Sequence, residues 1–157
     1  MAEKTSKWAL ILGGSTGLGL ATASKLARHG FNLLILHRDR RAVMVEIEKN
    51  FDALEKYGAK VHAFNVDAIN SAKILETLPK LSSILKNEEI DLHIHSIAKV
   101  NLKAMYSQDT PVLSSLDFQH TINAMGITLY ECTKVMVQHE LVAIDSRIIA
   151  FTSESST

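Results

Sequence analysis

The residues with the clearest chemical potential are glycines near the amino terminus. Gly13, Gly17 and Gly19 form a GxxxGxG pattern between a short apolar run and a segment of helical periodicity. Glycines at such a turn let main-chain N–H groups approach a phosphate, and the positive end of the following helix adds to the attraction. A tight turn without a ligand is the simpler alternative. We favour a phosphate-binding loop, to which we assign Gly13, Ser15, Thr16, Gly17, Leu18 and Gly19.

A basic cluster follows the second apolar run. His37 and Arg38 stand where a dinucleotide site would carry its ribose-binding group, and Asp39 comes next. A carboxylate there would accept the ribose 2′-hydroxyl of NAD, whereas an arginine would hold the 2′-phosphate of NADP. Arg38 therefore predicts NADP as the cofactor, while Asp39 leaves NAD open. A solvated charge cluster opening a helix is the alternative without a function.

Polar residues also follow the third and fourth apolar runs. Asn65 is suited to hold an adenine amino group through its side-chain oxygen, with Val66 beside it, whereas Asp67 is interpreted as a helix cap. After the fourth run, Ser96 and Ile97 are assigned to the cofactor site. Because the carboxyl ends of parallel strands share one edge of a sheet, we expect these residues to lie near the glycine loop.

Metal and thiol chemistry is not favoured. Asp91, His93 and His95 alternate along one strand and so share a face, but no fourth ligand is nearby. A neutral, hydrogen-bonded histidine in a buried sheet is the more ordinary interpretation. The single cysteine, Cys132, has no partner for an internal disulfide or a CxxC site.

The elements that must position these residues alternate regularly. Runs of Leu, Ile and Val predict buried strands, and the segments between them have helical spacing, with Pro79 marking a kink or a restart. This alternation predicts parallel βαβ units, and hence an α/β fold with a Rossmann-type doubly wound sheet, truncated after its fifth strand. The predicted strands are 8–12, 32–37, 60–65, 92–95 and 147–152, and the predicted helices are 17–29, 40–57, 71–86 and 115–141.

Composition limits the classes of partner. The 157 residues carry 17 basic and 17 acidic side chains, so the net charge is zero and a nucleic-acid or anionic-membrane partner is not expected. No apolar run reaches the roughly 20 residues of a membrane span, and the amino terminus has no secretory signal pattern. We expect a cytoplasmic protein with a single NAD(P)-binding Rossmann domain over residues 1–157, incomplete at its carboxyl terminus.

Taken together, these motifs resemble the short-chain dehydrogenase/reductase family over essentially all of the chain. Residues 13–19 (GGSTGLG) are similar to that family's TGxxxGxG loop, and residues 123–126 (NAMG) match its NxxG motif. Residues 95–98 (HSIA) occupy the place of its NNAG loop, and their sequence is similar to that of the enoyl-acyl-carrier-protein reductases of the family. Residues 149–153 (IAFTS) resemble the strand that delivers the catalytic serine.

The resemblance implies an NADP-dependent oxidoreductase that transfers a hydride from the nicotinamide to a ketone or 3-oxoacyl substrate. In that family a tyrosine protonates the developing oxyanion, and a lysine lowers the pKa of that tyrosine. Ser153 would then hydrogen-bond the substrate oxygen, and Asn123 would support a proton-relay water. An enoyl-thioester reductase of the same family is the alternative. The expected partners are a small-molecule or acyl-thioester substrate and further copies of the chain in a homo-oligomer.

The family's tyrosine–lysine pair would lie beyond Ser153, where the sequence ends at Thr157. Tyr130 and Lys134 formally match the spacing of that pair, but they stand too early, within the last predicted helix. Tyr130 is therefore interpreted as a packing residue at an interface. We therefore expect a fragment without catalytic tyrosine and lysine, with an uncovered strand that self-associates through Ile148, Ile149 and Phe151. A catalytically inert NADP-binding or scaffolding module is the hypothesis from another functional class.

Overall fold

A five-stranded parallel sheet organises the protein, whose computed structural model describes residues 6–152. The strands are β1 (Lys7–Leu12), β2 (Phe31–His37), β3 (Val61–Asn65), β4 (Ile90–His95) and β5 (Val142–Ala150). Their order is β3-β2-β1-β4-β5, and all four pairings are parallel. The chain thus builds outward from β1 to β3 and then continues on the other side of β1. This confirms the doubly wound sheet, and it places the reversal of strand order between β1 and β4.

Helices cover both faces of this sheet. They are α1 (Gly17–Arg28), α2 (Met44–Glu55), α3 (Ser71–Thr77), α4 (Leu81–Leu85), α5 (Ser115–Ile122) and α6 (Thr128–Gln138). A 3₁₀ turn, Leu78–Lys80, separates α3 from α4 and contains Pro79. Because proline lacks an N–H and clashes with the preceding turn, the helix restarts there, as predicted.

Alternate residues of β1 belong to two separate hydrophobic clusters. Leu10 and Leu12 pack with residues of α3, α4 and α6, whereas Ala9 and Ile11 pack with residues of α1 and α2. A strand buried on both faces has no solvent side, which explains why the strand sequences are so uniformly apolar. Cys132 lies in the first cluster, where burial and the nearby Glu131 raise the pKa of its thiol to about 12.

The last predicted helix, 115–141, is helical without a gap from Ser115 to Gln138, but it contains a π-helical turn that was not predicted. A π-helical turn, Asn123–Ile127, separates α5 from α6, and α6 ends at Gln138. Such a turn leaves carbonyl groups without their usual intrahelical partners. Here the Thr128 hydroxyl donates to the Asn123 carbonyl at 2.8 Å, and Nε2 of His95 donates to the Ala124 carbonyl at 3.0 Å.

The fifth strand begins earlier than predicted, at Val142 rather than at residue 147. Its pairing with β4 shifts register after Val142, so that Arg147 pairs with Leu92 and the residues between form a bulge. Ile148 and Ile149 remain 46% and 43% exposed. Within the described residues β5 pairs with β4 alone, and self-association through this strand stays a prediction.

His93 makes the stability of the fold sensitive to acid. It is buried in β4, and neither ring nitrogen has a hydrogen-bond partner within residues 6–152. Burial, with a smaller contribution from His95, lowers the pKa of His93 from 6.5 to about 3. Between these two pH values the unfolded chain binds the extra proton. The contribution of neutral His93 to the free energy of unfolding is therefore fully present above pH 6.5. Below pH 6.5 the free energy of unfolding falls by about 1.4 kcal/mol per pH unit, until the pKa of the folded state is reached.

We expect His93→Leu to remove this part of the acid sensitivity. Urea unfolding at pH 7.5 and pH 5.0 measures it, and the difference between the two free energies of unfolding should shrink by about 2 kcal/mol. His120→Leu, at an exposed position, is the matched control. An unchanged pH dependence in His93→Leu would contradict the assignment.

Candidate functional site

A cavity of about 430 Å³ lies at the carboxyl ends of the strands, where β1 meets β2 and β4. Open parallel sheets bind ligands at this edge, near the reversal of strand order. The volume lies within the range of small-molecule sites. The predicted loop residues that line the cavity are Gly13, Ser15, Thr16, Gly17 and Leu18.

The glycines of this loop serve two different purposes. Gly13 has φ +80°, and a Cβ on it would overlap the Ser96 carbonyl oxygen. Gly19 lies in α1 outside the cavity lining, and a Cβ there would overlap the Gly13 carbonyl oxygen. Gly17 has φ +54°, and a Cβ on it would meet no atom within 4 Å. Gly13 and Gly19 therefore permit close packing of strand end and helix, whereas Gly17 permits the turn itself.

The amino terminus of α1 has neither a side-chain cap nor an acidic side chain in its first turn to balance the helix dipole. Thr16 occupies the N-cap position in an extended conformation without a side-chain capping bond, and the first turn contains no acidic residue. The N–H groups of a first helical turn have no intrahelical partners and carry the positive end of the helix dipole. Since Thr16, Gly17 and Leu18 line the cavity, this end of α1 is suited to an anion.

A hydrogen bond and an ion pair organise the end of β2. Nδ1 of His37 donates to the Asp39 carboxylate at 2.7 Å, and this pair is largely buried. Nη1 of Arg38 lies 3.2 Å from the Asp67 carboxylate, with the Arg38 side chain 66% exposed. All four residues line the cavity. Arg38, which is predicted to bind a 2′-phosphate, thus lies at the cavity, and the Asp67 carboxylate is already beside it.

Asn65 and Asp67 differ from their predicted positions. The Asn65 amide accepts from the Asp39 N–H at 3.2 Å and donates to the Asp39 carbonyl at 3.0 Å, and Asn65 does not line the cavity. Asp67 was expected to cap the following helix, but the cap of α3 is Asn70. Asp67 lines the cavity instead, and its Oδ1 accepts from the Ile69 N–H at 3.1 Å.

The ends of β4 and β5 form another part of the lining. Ser96 and Ile97 line the cavity as predicted, and the Ser96 N–H donates to the Leu12 carbonyl at 2.9 Å. Val66 lines it as well. Phe151 was not foreseen: its N–H donates to the His95 carbonyl at 3.0 Å, which carries the ring to the same edge. Its position near the carboxyl end of the fifth predicted strand was the available signal.

The two residues assigned a catalytic role differ in position. Asn123 opens the π-helical turn, and its amide donates to the carbonyl of Ile69, a lining residue, at 3.3 Å. Asn123 does not itself line the cavity. Ser153 lies outside the described residues. Tyr130, the formal match to a catalytic tyrosine, is 65% exposed on α6 and does not line the cavity.

A capping box fixes the loop before α5. Ser114 and Asp117 exchange side-chain bonds with each other's main chain, and Lys103 Nζ lies 3.0 Å from the Asp117 carboxylate. The hydrogen bond from the Ser114 N–H, followed by those from Lys103 and the Ser114 hydroxyl, lowers the pKa of Asp117 to about 2. Asn101 also donates to Asp117. Asn101 and Lys103, which lie in the irregular segment between β4 and α5, are thereby attached to the first turn of α5.

Other kinds of site receive no support from residues 6–152. In that part of the chain no three His, Cys, Asp or Glu side chains are grouped so that they could bind a metal ion. None of its helices combines the length and apolar character needed to cross a membrane.

Comparison with known proteins identifies a matching family model and relatives named as an oxidoreductase and a dehydrogenase. The family model described as "KR domain" matches residues 8–123, well over half of the chain. Oxidoreductase UcpA of Escherichia coli K12 is 28% identical over 153 residues, covering 98% of this chain and 54% of that protein. L-Rhamnose 1-dehydrogenase (NADP(+)) of Thermoplasma acidophilum is 32% identical over 97 residues, covering 57% of this chain and 37% of that protein.

The fold has close counterparts among solved structures. The NADPH-dependent 3-quinuclidinone reductase of Rhodotorula rubra superposes with a TM-score of 0.76 at 18% identity, covering 96% of this chain and 53% of that one. At this identity the likeness concerns the fold. The chain spans about half the length of UcpA and of the quinuclidinone reductase.

Proposed function

Since the chain belongs to the short-chain dehydrogenase/reductase family, we propose that it binds NADP(H) for hydride transfer to a carbonyl substrate. One observation carries this proposal: a glycine loop, an uncapped helix terminus and an arginine line the same cavity. Together they suit a ligand with a pyrophosphate at one point and a further phosphate at another. In the same proposal, residues 1–157 form a single NAD(P)-binding domain.

Each part of the cavity has a role in this proposal. Main-chain N–H groups of the glycine loop and the first turn of α1 hold the pyrophosphate, while Arg38 holds the 2′-phosphate. The bound nicotinamide supplies the hydride. Ser96, Ile97 and Phe151 would border the nicotinamide end, where apolar side chains exclude water. The adenine end would then meet Val66 and Asp67, because the Asn65 amide is occupied by the Asp39 main chain.

A ketone or 3-oxoacyl substrate is the leading hypothesis for the substrate class. The Asn123 amide bonds to the carbonyl of a cavity residue, and the π-helical turn there suits the proton-relay role of that asparagine. The name of the rhamnose dehydrogenase relative contains NADP(+), which supports the proposed cofactor and leaves the substrate class to the Asn123 argument. The His-Ser-Ile sequence at 95–97 favours the alternative, an enoyl-thioester reductase.

A binding module without turnover is the second candidate function. The sequence contains a single Tyr-x-x-x-Lys match, Tyr130–Lys134, and Tyr130 is exposed and outside the cavity lining. No described residue of the cavity lining is a tyrosine that could protonate a substrate. Ser153 and Asn123 would still contribute substrate contact and water positioning.

A further part of the proposal is a homo-oligomer. The outer faces of α5 and α6 expose Phe118, Ile122 and Tyr130 by 54%, 57% and 65%. Apolar side chains in such a position suit an interface with another copy of the chain, as the family resemblance implies.

Nucleotide titration tests the proposed function directly. We expect the purified 157-residue chain to bind NADPH saturably, measured by calorimetry, and not to oxidise it in the presence of ketone or enoyl-thioester substrates. Absence of binding at millimolar NADPH would contradict the proposal. Oxidation of NADPH would refute the packing interpretation of Tyr130. In a gene product that supplies a tyrosine and lysine after Ser153, turnover would favour the enzyme and binding alone the module.

A further inference from the structure

The ion pair between Arg38 and Asp67 is the least explained feature of the cavity. Nη1 of Arg38 lies 3.2 Å from Oδ2 of Asp67, while Oδ1 of Asp67 accepts from the Ile69 N–H at 3.1 Å. The carboxylate is thus fixed to the main chain of its own loop. The arginine side chain is the more exposed partner, at 66% against 36% for Asp67.

The loop that carries Arg38 is itself held in place. Asn65 bonds to both the N–H and the carbonyl of Asp39, and the Val66 N–H donates to the His37 carbonyl at 2.7 Å. Main-chain movement of Arg38 away from Asp67 is therefore restricted. Within the loop that carries Arg38, rotation of the arginine side chain is therefore the movement that changes the distance between the guanidinium and the carboxylate.

The charge balance of the cavity makes this pair consequential. Among the described residues that line the cavity, Arg38 is the single arginine or lysine. Asp39 is also acidic, but its carboxylate is engaged by His37 at 2.7 Å. Asp67 is thus the carboxylate in contact with the one cationic side chain that a 2′-phosphate would need.

We propose that Asp67 is a specificity-determining residue, which limits the preference of this site for a 2′-phosphate by competing for Arg38. The inference rests on the proposed nucleotide-binding function. A phosphate bound by the same guanidinium would lie about 5–6 Å from the fixed carboxylate, where two anions repel each other appreciably even at high dielectric. An exposed ion pair contributes little to orienting an arginine, so repulsion outweighs any benefit from positioning.

Replacement of Asp67 by asparagine tests the effect of the negative charge while the size of the side chain is kept. The asparagine side chain would keep an oxygen for the Ile69 N–H but lose the negative charge. We expect D67N to raise the ratio of NADPH to NADH affinity by about five- to tenfold. Calorimetric titration of the same preparation with NADPH and NADH measures this ratio, and retained NADH binding reports that the variant is folded.

Two further variants make the test specific. Glu76→Gln removes one negative charge from an exposed pair with Lys73 and Lys80, outside the cavity, and should leave the ratio unchanged. In an Arg38→Gln background, Asp67→Asn should raise the ratio by less than it does when Arg38 is present, because competition for Arg38 no longer exists and only the repulsion between phosphate and carboxylate remains to be relieved.

The outcomes distinguish the inference from its premise. If the wild-type chain binds both nucleotides and D67N leaves the ratio unchanged or lowers it, Asp67 does not compete for Arg38 and the inference is wrong, whereas the proposed function stands. If the wild-type chain binds neither nucleotide, the proposed function itself fails. Should D67N lose NADH binding as well, Asp67→Ser, which also keeps an oxygen for the Ile69 N–H, is measured in its place, and the same ratio decides.

Discussion

Gly19→Ala is expected to abolish NADPH binding and to lower the free energy of unfolding by about 3 kcal/mol. The added Cβ would overlap the carbonyl oxygen of Gly13 and would come within 3.1 Å of Gly14 Cα. Both are main-chain atoms of the turn between β1 and α1, so no flexible side chain can move aside. Either α1 shifts away from the loop or the loop changes shape, and each removes the arrangement of N–H groups proposed to hold a pyrophosphate.

Urea unfolding and NADPH titration of the same variant measure the two effects. Gly126→Ala is the matched control, because a Cβ at Gly126 would meet no atom within 4 Å. Alanine there should change the stability by less than about 1 kcal/mol and leave NADPH binding unchanged. Wild-type NADPH affinity in Gly19→Ala would show that the close approach of α1 to the loop is not needed for binding.

Arg38→Gln is expected to weaken NADPH binding by about 10- to 100-fold while NADH binding stays within about twofold of wild type. The guanidinium can donate two parallel hydrogen bonds to a phosphate, and the glutamine amide offers neither its charge nor that geometry. NADH carries a hydroxyl in place of the 2′-phosphate. The loss should therefore be confined to the phosphorylated nucleotide.

Calorimetric titration with both nucleotides checks this expectation. Arg41→Gln removes the same charge three residues away, at an exposed position outside the cavity lining, and should leave both affinities near the wild-type values. Equal weakening of NADPH and NADH in Arg38→Gln would point to a general loss of the site. Unchanged NADPH binding would contradict the assignment of Arg38 to the 2′-phosphate.

The parts of the fold that the sequence predicts are those governed by local physics. The strands are recognisable because burial on both faces leaves few polar positions in them, and the glycine loop because its turn and close packing exclude side chains. The restart of the helix at Pro79 likewise follows from the proline ring alone. These features need no knowledge of distant parts of the chain.

The features that the sequence did not predict depend on contacts between distant elements. The π-helical turn after α5 is matched by a hydrogen bond from His95, which is remote in sequence from Ala124. The early start of β5 depends on its register against β4, because polar residues 145–146 interrupt the apolar pattern. No residue-by-residue pattern contains this information.

The unpredicted positions of Asn65 and Asp67 have a similar origin. Asn65 pairs in register with His37, which brings its amide to the main chain of Asp39. That register places Asp67 beside Arg38 at the cavity instead of at the start of α3. Sequence spacing alone could compare Asn65 and Asp67 as candidates to bind adenine. It could not predict the contacts with Asp39 and Arg38 that distinguish the two residues in the structure.

A crystal structure of the chain in complex with NADPH tests the central claim most directly. We predict pyrophosphate oxygens within about 3.2 Å of main-chain N–H groups in the loop from Gly13 to Leu18, with the 2′-phosphate against Arg38. A nucleotide bound at another surface would contradict this account, as would a pyrophosphate held by side chains alone with the loop N–H groups left unused.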